Sequence, residues 1–300
     1  MDITLFSTDG LAKLAKTVGG WFGLEALATI INTKAEGFAM KSKAKAENET
    51  ALIRLQGEEQ LANYILSREK RKMDNVKSVV QLAQTQFAND EEVSKEQVNQ
   101  DWVNRFFSIV EEVSDFEMQK LWSQILAGEV KRPKSYSLRT LEVLRNMTKE
   151  EADLFVKATS YMIDNDSIIN EINCSLSVEE LLTLSDIGLV NNEDLTVTYT
   201  LNKQSSLSHI KIDKLFGVGI YNPDVPIIRL ELSVRSLTIV GKELVKLIDY
   251  TTSDVVYRCI VEKCKKLRCK AVVKSPITGH LPDGQCLYSK QGELLYKQEE

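Results

Sequence analysis

Proline is absent from Met1 to Arg132, and glycine is absent as well from Glu58 to Ala127. Without these breakers, a stretch rich in Ala, Glu, Lys, Gln and Leu reads as long helix. Histidine is nearly missing: His209 and His280 stand beside five cysteines, Cys174, Cys259, Cys264, Cys269 and Cys286. A zinc site would need Cys264, Cys269 and Cys286, and their spacing fits no common zinc motif, so no metal is expected. An odd number of cysteines behind an N-terminus without a signal peptide reads as reduced thiols in a cytoplasmic protein. There is no phosphate loop, nucleophile elbow or metal-ligand spacing, so the reading leans away from an enzyme and names no catalytic residue and no cofactor. A carboxylate pair assembled only in space would escape it. Nor is there an excess of positive charge: 38 Lys and Arg face 43 Asp and Glu, which excludes a globally basic nucleic-acid binder while leaving local patches open. The apolar segment from Val18 to Ile31, broken by Glu25 and Thr29, is shorter than the roughly 20 residues a spanning helix needs.

What is present divides the chain into four stretches. An amphipathic Gly- and Ala-rich helical segment covers 1–40, a coiled-coil-like helix 41–90, a helical bundle 101–165 and an α+β module 174–300. The expected fold is therefore mostly α in its N-terminal two thirds, with a smaller, winged-helix-like α+β module behind.

In the first stretch, Leu11, Leu14, Ala15, Val18 and Phe22 share one helical face, with Lys13 and Lys16 opposite. Leu14, Val18, Trp21 and Phe22 are candidate membrane contacts of a helix lying on a bilayer surface, and the same pattern fits a core helix. In the second, Leu52, Leu55, Glu59, Ala62, Leu66, Glu69, Met73, Val76, Val80, Ala83 and Phe87 recur at alternating steps of three and four. This is a heptad seam that needs a covering helix. Self-association through Leu52, Leu55, Leu66, Met73, Val76, Val80 and Phe87 would cover it, and so would folding back onto the chain's own domain.

The bundle opens with Trp102, Phe106, Ile109, Val110 and Val113 on one face. Ser114 and Glu117 read as a capping box for a helix through Phe116, Leu121, Trp122, Ile125 and Leu126 that stops at Gly128. After a basic loop, Ser135 or Ser137 caps a helix burying Leu138, Leu141, Leu144 and Met147. Thr148 and Glu151 then box a helix burying Ala152, Phe155 and Met162. Lys131, Arg132, Lys134 and Arg139 are candidate anion contacts near a helix N-terminus, or a solvated basic loop.

Further on, Ser177 and Glu180 form another capping box. Leu195, Val197, Tyr199 and Leu201 alternate as a strand, as do residues 227–237, and Leu237-Thr238-Ile239-Val240-Gly241-Lys242-Glu243-Leu244 opens a helix. The order is that of a degenerate winged helix without a clear basic recognition helix. Ser253 caps a last helix carrying Val256, Cys259, Ile260 and Leu267. Beside it, Lys263, Lys265, Lys266 and Arg268, with Lys270 and Lys274, form a basic cluster able to contact phosphates or anionic lipid, or simply the wet face of the helix.

The run from Glu117 to Glu129, followed by Pro133, Ser137 to Leu141 and Lys149 to Ala152, resembles the bacterial domain-of-unknown-function family 2806. The likeness extends over most of the chain, including Thr17 to Met40, and implies no activity. More distantly, Leu121-Trp122 to Leu126-Ala127 is similar to the motif of the abortive-infection alpha family, from which this sequence departs by its long C-terminal half. That similarity implies a role in defence against phage. The expectation is thus a non-enzymatic, oligomeric helical protein of anti-phage defence, cytoplasmic and peripheral at the inner membrane. Its expected partners are itself, an anionic membrane surface, and nucleic acid or a phage component, with no small-molecule substrate identified. The alternative is a winged-helix-like regulator that binds nucleic acid.

Overall fold

The computed structural model describes residues 37, 40, 41, 43–51, 58–87, 94, 96–164, 166–172, 174–202, 207–225 and 227–298. Leu14, Val18, Trp21, Phe22, Leu52 and Leu55 lie outside the described residues. The chain divides into two compact units, Met1–Arg145 and Asn146–Glu300. A helical N-terminal part is followed by a strand-rich α+β region, as the sequence patterning indicates.

In the first unit, the breaker-free stretch forms α1 (Glu59–Thr85), followed by α2 (Gln100–Val110), α3 (Phe116–Lys131) and α4 (Leu138–Asn146). Helix α1 packs along α3 and touches α2. Val76, Val79, Val80 and Ala83 of α1 are buried there, as is Phe87 just beyond it. The centre of the unit is aromatic: Trp102 stacks on Phe106 at 5.0 Å between centroids, and Phe106 meets Trp122 edge to face at 5.7 Å.

A polar seam crosses this apolar contact. Asn75 Nδ2 donates to Glu111 O at 2.9 Å, Ser78 Oγ to Gln119 Oε1 at 2.6 Å, and Gln119 Nε2 to Val113 O at 2.9 Å and Asn75 Oδ1 at 3.3 Å. Gln86 Nε2 donates to Ser123 Oγ at 3.0 Å. Sliding α1 along α3 would leave these buried groups unpaired, at about 1–3 kcal/mol for each, so they fix the register that aliphatic packing alone leaves soft.

Several helix ends differ from the sequence reading. Asp115, not Ser114, caps α3, its Oδ1 accepting Met118 N at 2.9 Å, because Ser114 Oγ is engaged by Asn75 Nδ2 at 3.2 Å. Helix α3 runs through Gly128 to Lys131. Gly128 is therefore no cap; its hydrogen faces the Tyr136 ring, and a Cβ there would lie 2.8 Å from Tyr136 Cε2. Leu138, expected inside, sits in a first turn at 44% exposure, and Phe116 opens α3 at 54%.

The second unit comprises α5 (Lys149–Thr159), β1 (Met162–Ile163), β2 (Ser167–Ile169), α6 (Val178–Asp186), β3 (Leu195–Asn202), β4 (Ser208–Lys211), β5 (Phe216–Tyr221), β6 (Ile227–Ser236), α7 (Ile239–Leu244), α8 (Asp254–Lys266), β7 (Ala271–His280), β8 (Cys286–Tyr288) and β9 (Glu293–Lys297). Both capping boxes form as expected, Thr148 with Glu151 on α5 and Ser177 with Glu180 on α6. Helices α5 and α6 pack together, and Lys157 pairs with Glu180 at 2.5 Å.

The strands make two antiparallel sheets, one ordered β1-β2-β6-β3 and the other β4-β5-β7-β8 with β9 also on β7. A single core of Leu230, Leu232, Ile210, Val218, Ile220, Val256, Ile260 and their neighbours joins the strands to α8. Gly241 opens α7 against the α6–β3 turn so closely that a Cβ would sit 2.2 Å from Leu189 O. Thr238 fastens the same corner, donating to Gly188 O at 2.6 Å and accepting Gly241 N at 3.1 Å. The Leu-Thr-x-x-Gly motif is thus a corner clamp.

Candidate functional site

The densest set of perturbed ionisable groups lies in the second unit. Asp164 has a left-handed backbone, φ 55°, and its N–H donates to Ile212 O at 3.1 Å. Its carboxylate accepts the Tyr199 hydroxyl. Burial pushes the Asp164 carboxyl above the ordinary carboxylate range, partly offset by that hydrogen bond. Burial and then the carboxylate push the Tyr199 hydroxyl far above an ordinary phenol, so Tyr199 keeps its proton and Asp164 is its acceptor.

On the second sheet, His209 of β4 stands opposite Gly219 of β5. Its ring stacks on Tyr288 at 4.2 Å between centroids, with 6° between planes, and its Nε2 lies 3.3 Å from Ser275 Oγ. Alternate glycines make the room. A Cβ at Gly217 would meet the Tyr288 ring at 2.4 Å, and one at Gly219 would meet Leu207 at 2.8 Å and His209 Nε2 at 3.0 Å. Burial lowers the His209 pKa, and it raises that of Tyr288 with help from Cys286. A neutral imidazole beside a hydroxyl has the parts of a nucleophile pair, yet Ser275 is 1% exposed. The rings fill the space above the glycines, and the arrangement is packing. Sequence reasoning missed it, although Phe216-Gly217-Val218-Gly219 carried the signal: glycines at alternate positions clear one face of a strand for a neighbour's ring.

The basic loop of the first unit is organised around an anion of its own. Glu129, 2% exposed, accepts Lys134 N at 2.7 Å on Oε1 and Tyr136 N at 2.9 Å on Oε2. Lys134, at φ 73°, pairs through Nζ with Glu96 at 2.5 Å, and Lys131 lies over the Phe87 ring at 5.8 Å. Arg132 and Arg139 are exposed. The loop amides that an external anion would use are already occupied by Glu129, so Lys131, Arg132, Lys134 and Arg139 do not converge on a free site.

The α8 cluster is likewise divided. Lys263 pairs with Glu171 at 2.7 Å, Lys265 with Glu262 at 2.6 Å and Lys270 with Asp224 at 3.1 Å. Lys274 lies over the Tyr257 and Phe216 rings at 4.3 and 4.6 Å. Lys266 and Arg268 remain outward and exposed. Cys259 is a core residue, its thiol raised by burial and then by Cys174. Among the described residues no group of three His, Cys, Asp or Glu side chains is placed to hold a metal ion.

Of the seam residues, Val76, Val80 and Phe87 are covered within their own unit, whereas Leu66 and Met73 keep 36% and 38% exposure. Seven residues apart, these two share one flank of α1 beside the buried stripe. On the remaining flank Leu61 and Tyr64 are 44% and 61% exposed.

The geometry defines a class of protein: a helical unit and an α+β unit, each with buried apolar side chains of its own. Residues 59–172 match the model of the family described as "Protein of unknown function (DUF2806)". The match runs from the start of α1 to just past β2. No curated protein and no solved structure matches the chain. Among the described residues no helix is long and apolar enough to cross a membrane.

Proposed function

We propose that the chain is a non-catalytic, self-associating protein of bacterial anti-phage defence, acting in the cytoplasm and at the inner-membrane surface. The observation that carries self-association is the flank of α1. Its buried stripe is satisfied internally, yet Leu66 and Met73 remain half-exposed two turns apart. Apolar side chains repeated at seven residues on an exposed flank suit a second helix of the same kind. Defence rests on the likeness of the Leu121 to Ala127 core to the abortive-infection alpha family, and membrane contact on Leu14, Val18, Trp21 and Phe22. Nucleic-acid binding by the winged-helix-like part has less support, because residues 187–194 turn directly from α6 into β3, leaving no second helix there to enter a groove.

Size-exclusion chromatography with light scattering tests the reading. Wild type should run above monomer mass, and Leu66→Glu with Met73→Glu should lower that mass while circular dichroism stays unchanged. Val76 is excluded from the test because it is 4% exposed and a charge there would unfold the unit. Unchanged mass in the double variant refutes association through α1. Loss of phage protection in cells expressing that variant would tie assembly to defence; full protection would separate the two.

A further inference from the structure

Strand β3 ends its sheet: it is hydrogen-bonded to β6 only, and it comes near β4 without pairing with it. Which of its backbone groups face the open side follows from β6. There Ser233 O accepts Asn170 N at 2.8 Å and Ser233 N donates to Glu171 Oε1 at 2.7 Å, while Leu237 N donates to Asp166 O at 2.8 Å. In an antiparallel ladder the N–H and C=O of one residue point to the same side and alternate along the strand. The odd-numbered residues of β6 therefore face β2, and Ile228, Leu230, Leu232 and Val234 face β3. Their partners are Leu201, Tyr199, Val197 and Leu195. The backbones of Thr196, Thr198 and Thr200 consequently point to the open edge, where among the described residues they make no backbone hydrogen bond.

Exposed edges normally carry some protection against pairing. β1 and β8 are two and three residues long, β4 is four, and β9 carries Glu293 and Lys297 and a register break in its pairing with β7. β3 has none of these devices. Its eight residues, Leu-Thr-Val-Thr-Tyr-Thr-Leu-Asn, include no charge, proline or glycine, and Leu195, Thr196, Thr198 and Thr200 are exposed.

We propose that β3 is a self-recognition edge, pairing antiparallel with β3 of a second copy about a twofold axis at Thr198. Strict alternation of apolar residues and threonine makes the strand complementary to itself, and centring on Thr198 is the register that pairs all three outward threonines with one another. Thr198 opposes its own copy and Thr196 opposes Thr200, so the three outward backbones meet as hydrogen-bonded pairs, giving about six backbone bonds. On the inner face Leu195 meets Leu201 and Val197 meets Tyr199, while the outer face is threonine against threonine, both favourable cross-strand pairings. A twofold contact of this kind closes after two copies. The Tyr199 hydroxyl is already held by Asp164, which fixes that ring on the inner face. This surface is separate from α1 and does not depend on association through it.

The test uses the full chain. Thr198→Pro removes only an outward N–H, so the β6 ladder survives, and Thr198→Lys places a charge against its own copy without touching the backbone. Both should lower the mass measured by light scattering by the same step, with circular dichroism unchanged. In wild type the amides of Thr196, Thr198 and Thr200 should gain hydrogen-exchange protection as concentration rises. Wild-type mass in folded Thr198→Lys, or amides that exchange as a free edge at every concentration, overturns the proposal. If Thr198→Pro fails to fold, Thr198→Lys and the exchange measurement still decide. Mass lost only in Leu66→Glu with Met73→Glu leaves the α1 reading standing and removes this one; mass lost only in the Thr198 variants does the reverse.

Discussion

Replacing Gly128 by alanine separates two accounts of the Ala127-Gly128-Glu129 run. If Gly128 ended a helix, an added methyl would disturb a terminus whatever lies nearby. In the structure Gly128 is inside α3, where alanine is favoured over glycine by about 1 kcal/mol. Against this stands Tyr136, 5% exposed, whose Cε2, hydroxyl and Cζ would lie 2.8, 3.2 and 3.4 Å from the new Cβ. Forcing a methyl into such packing costs about 1–3 kcal/mol. The net effect of Gly128→Ala should be a loss of about 0–2 kcal/mol from these two magnitudes. With Tyr136→Leu as background the overlap disappears, and the same substitution should stabilise by up to about 1 kcal/mol. Trp21, Trp102 and Trp122 all precede Arg145, so tryptophan fluorescence during urea unfolding reports on the first unit. A coupling between the two sites below about 0.5 kcal/mol, the usual scatter of independent sites, would refute the argument.

Two further outcomes follow from the described groups and the N-terminal sequence. Burial depresses the His209 pKa below its ordinary 6.5, so the unfolded chain binds the proton more readily and stability falls as pH drops from about 6.5 toward the folded value; His209→Gln should flatten that part of a stability-versus-pH curve, and an unchanged slope would remove His209 as its source. Anionic liposomes should co-sediment wild type more than a chain lacking its first 33 residues, and equal partition would take the membrane out of the account.

What the sequence disclosed was local. Thr148 with Glu151 and Ser177 with Glu180 were legible because a capping box closes within four residues. The alternation of Leu195 to Leu201 sufficed for β3 because one face of that strand is buried. Ser114 misled because the side chain that decides its role, Asn75, is 39 residues away. Gly128 misled because Tyr136, not backbone conformation, requires it. The second sheet left little trace: β5 alternates glycine with valine and isoleucine, which weakens its strand signal, and β7 joins it from about 50 residues further along. Asp164, Tyr199, His209 and Tyr288 come together only once both sheets exist, so no spacing in the chain announces them.

The position of β7 has a consequence for synthesis. It is the middle member of the second sheet, bonded to β5 along 271–276, to β9 along 271–274 and to β8 along 277–280. A ribosome makes β4 and β5 well before it makes β7. Until then β5 has no partner on its β7 side, and Ile210, Val218 and Ile220, which end at 0–3% exposure, lack Val272 and the α8 residues that share their core. The nascent chain therefore holds a sticky hairpin through several seconds of elongation, at about 5–20 residues per second. That interval is when a trigger factor or a neighbouring nascent copy on the same messenger would meet this protein in its most adhesive form.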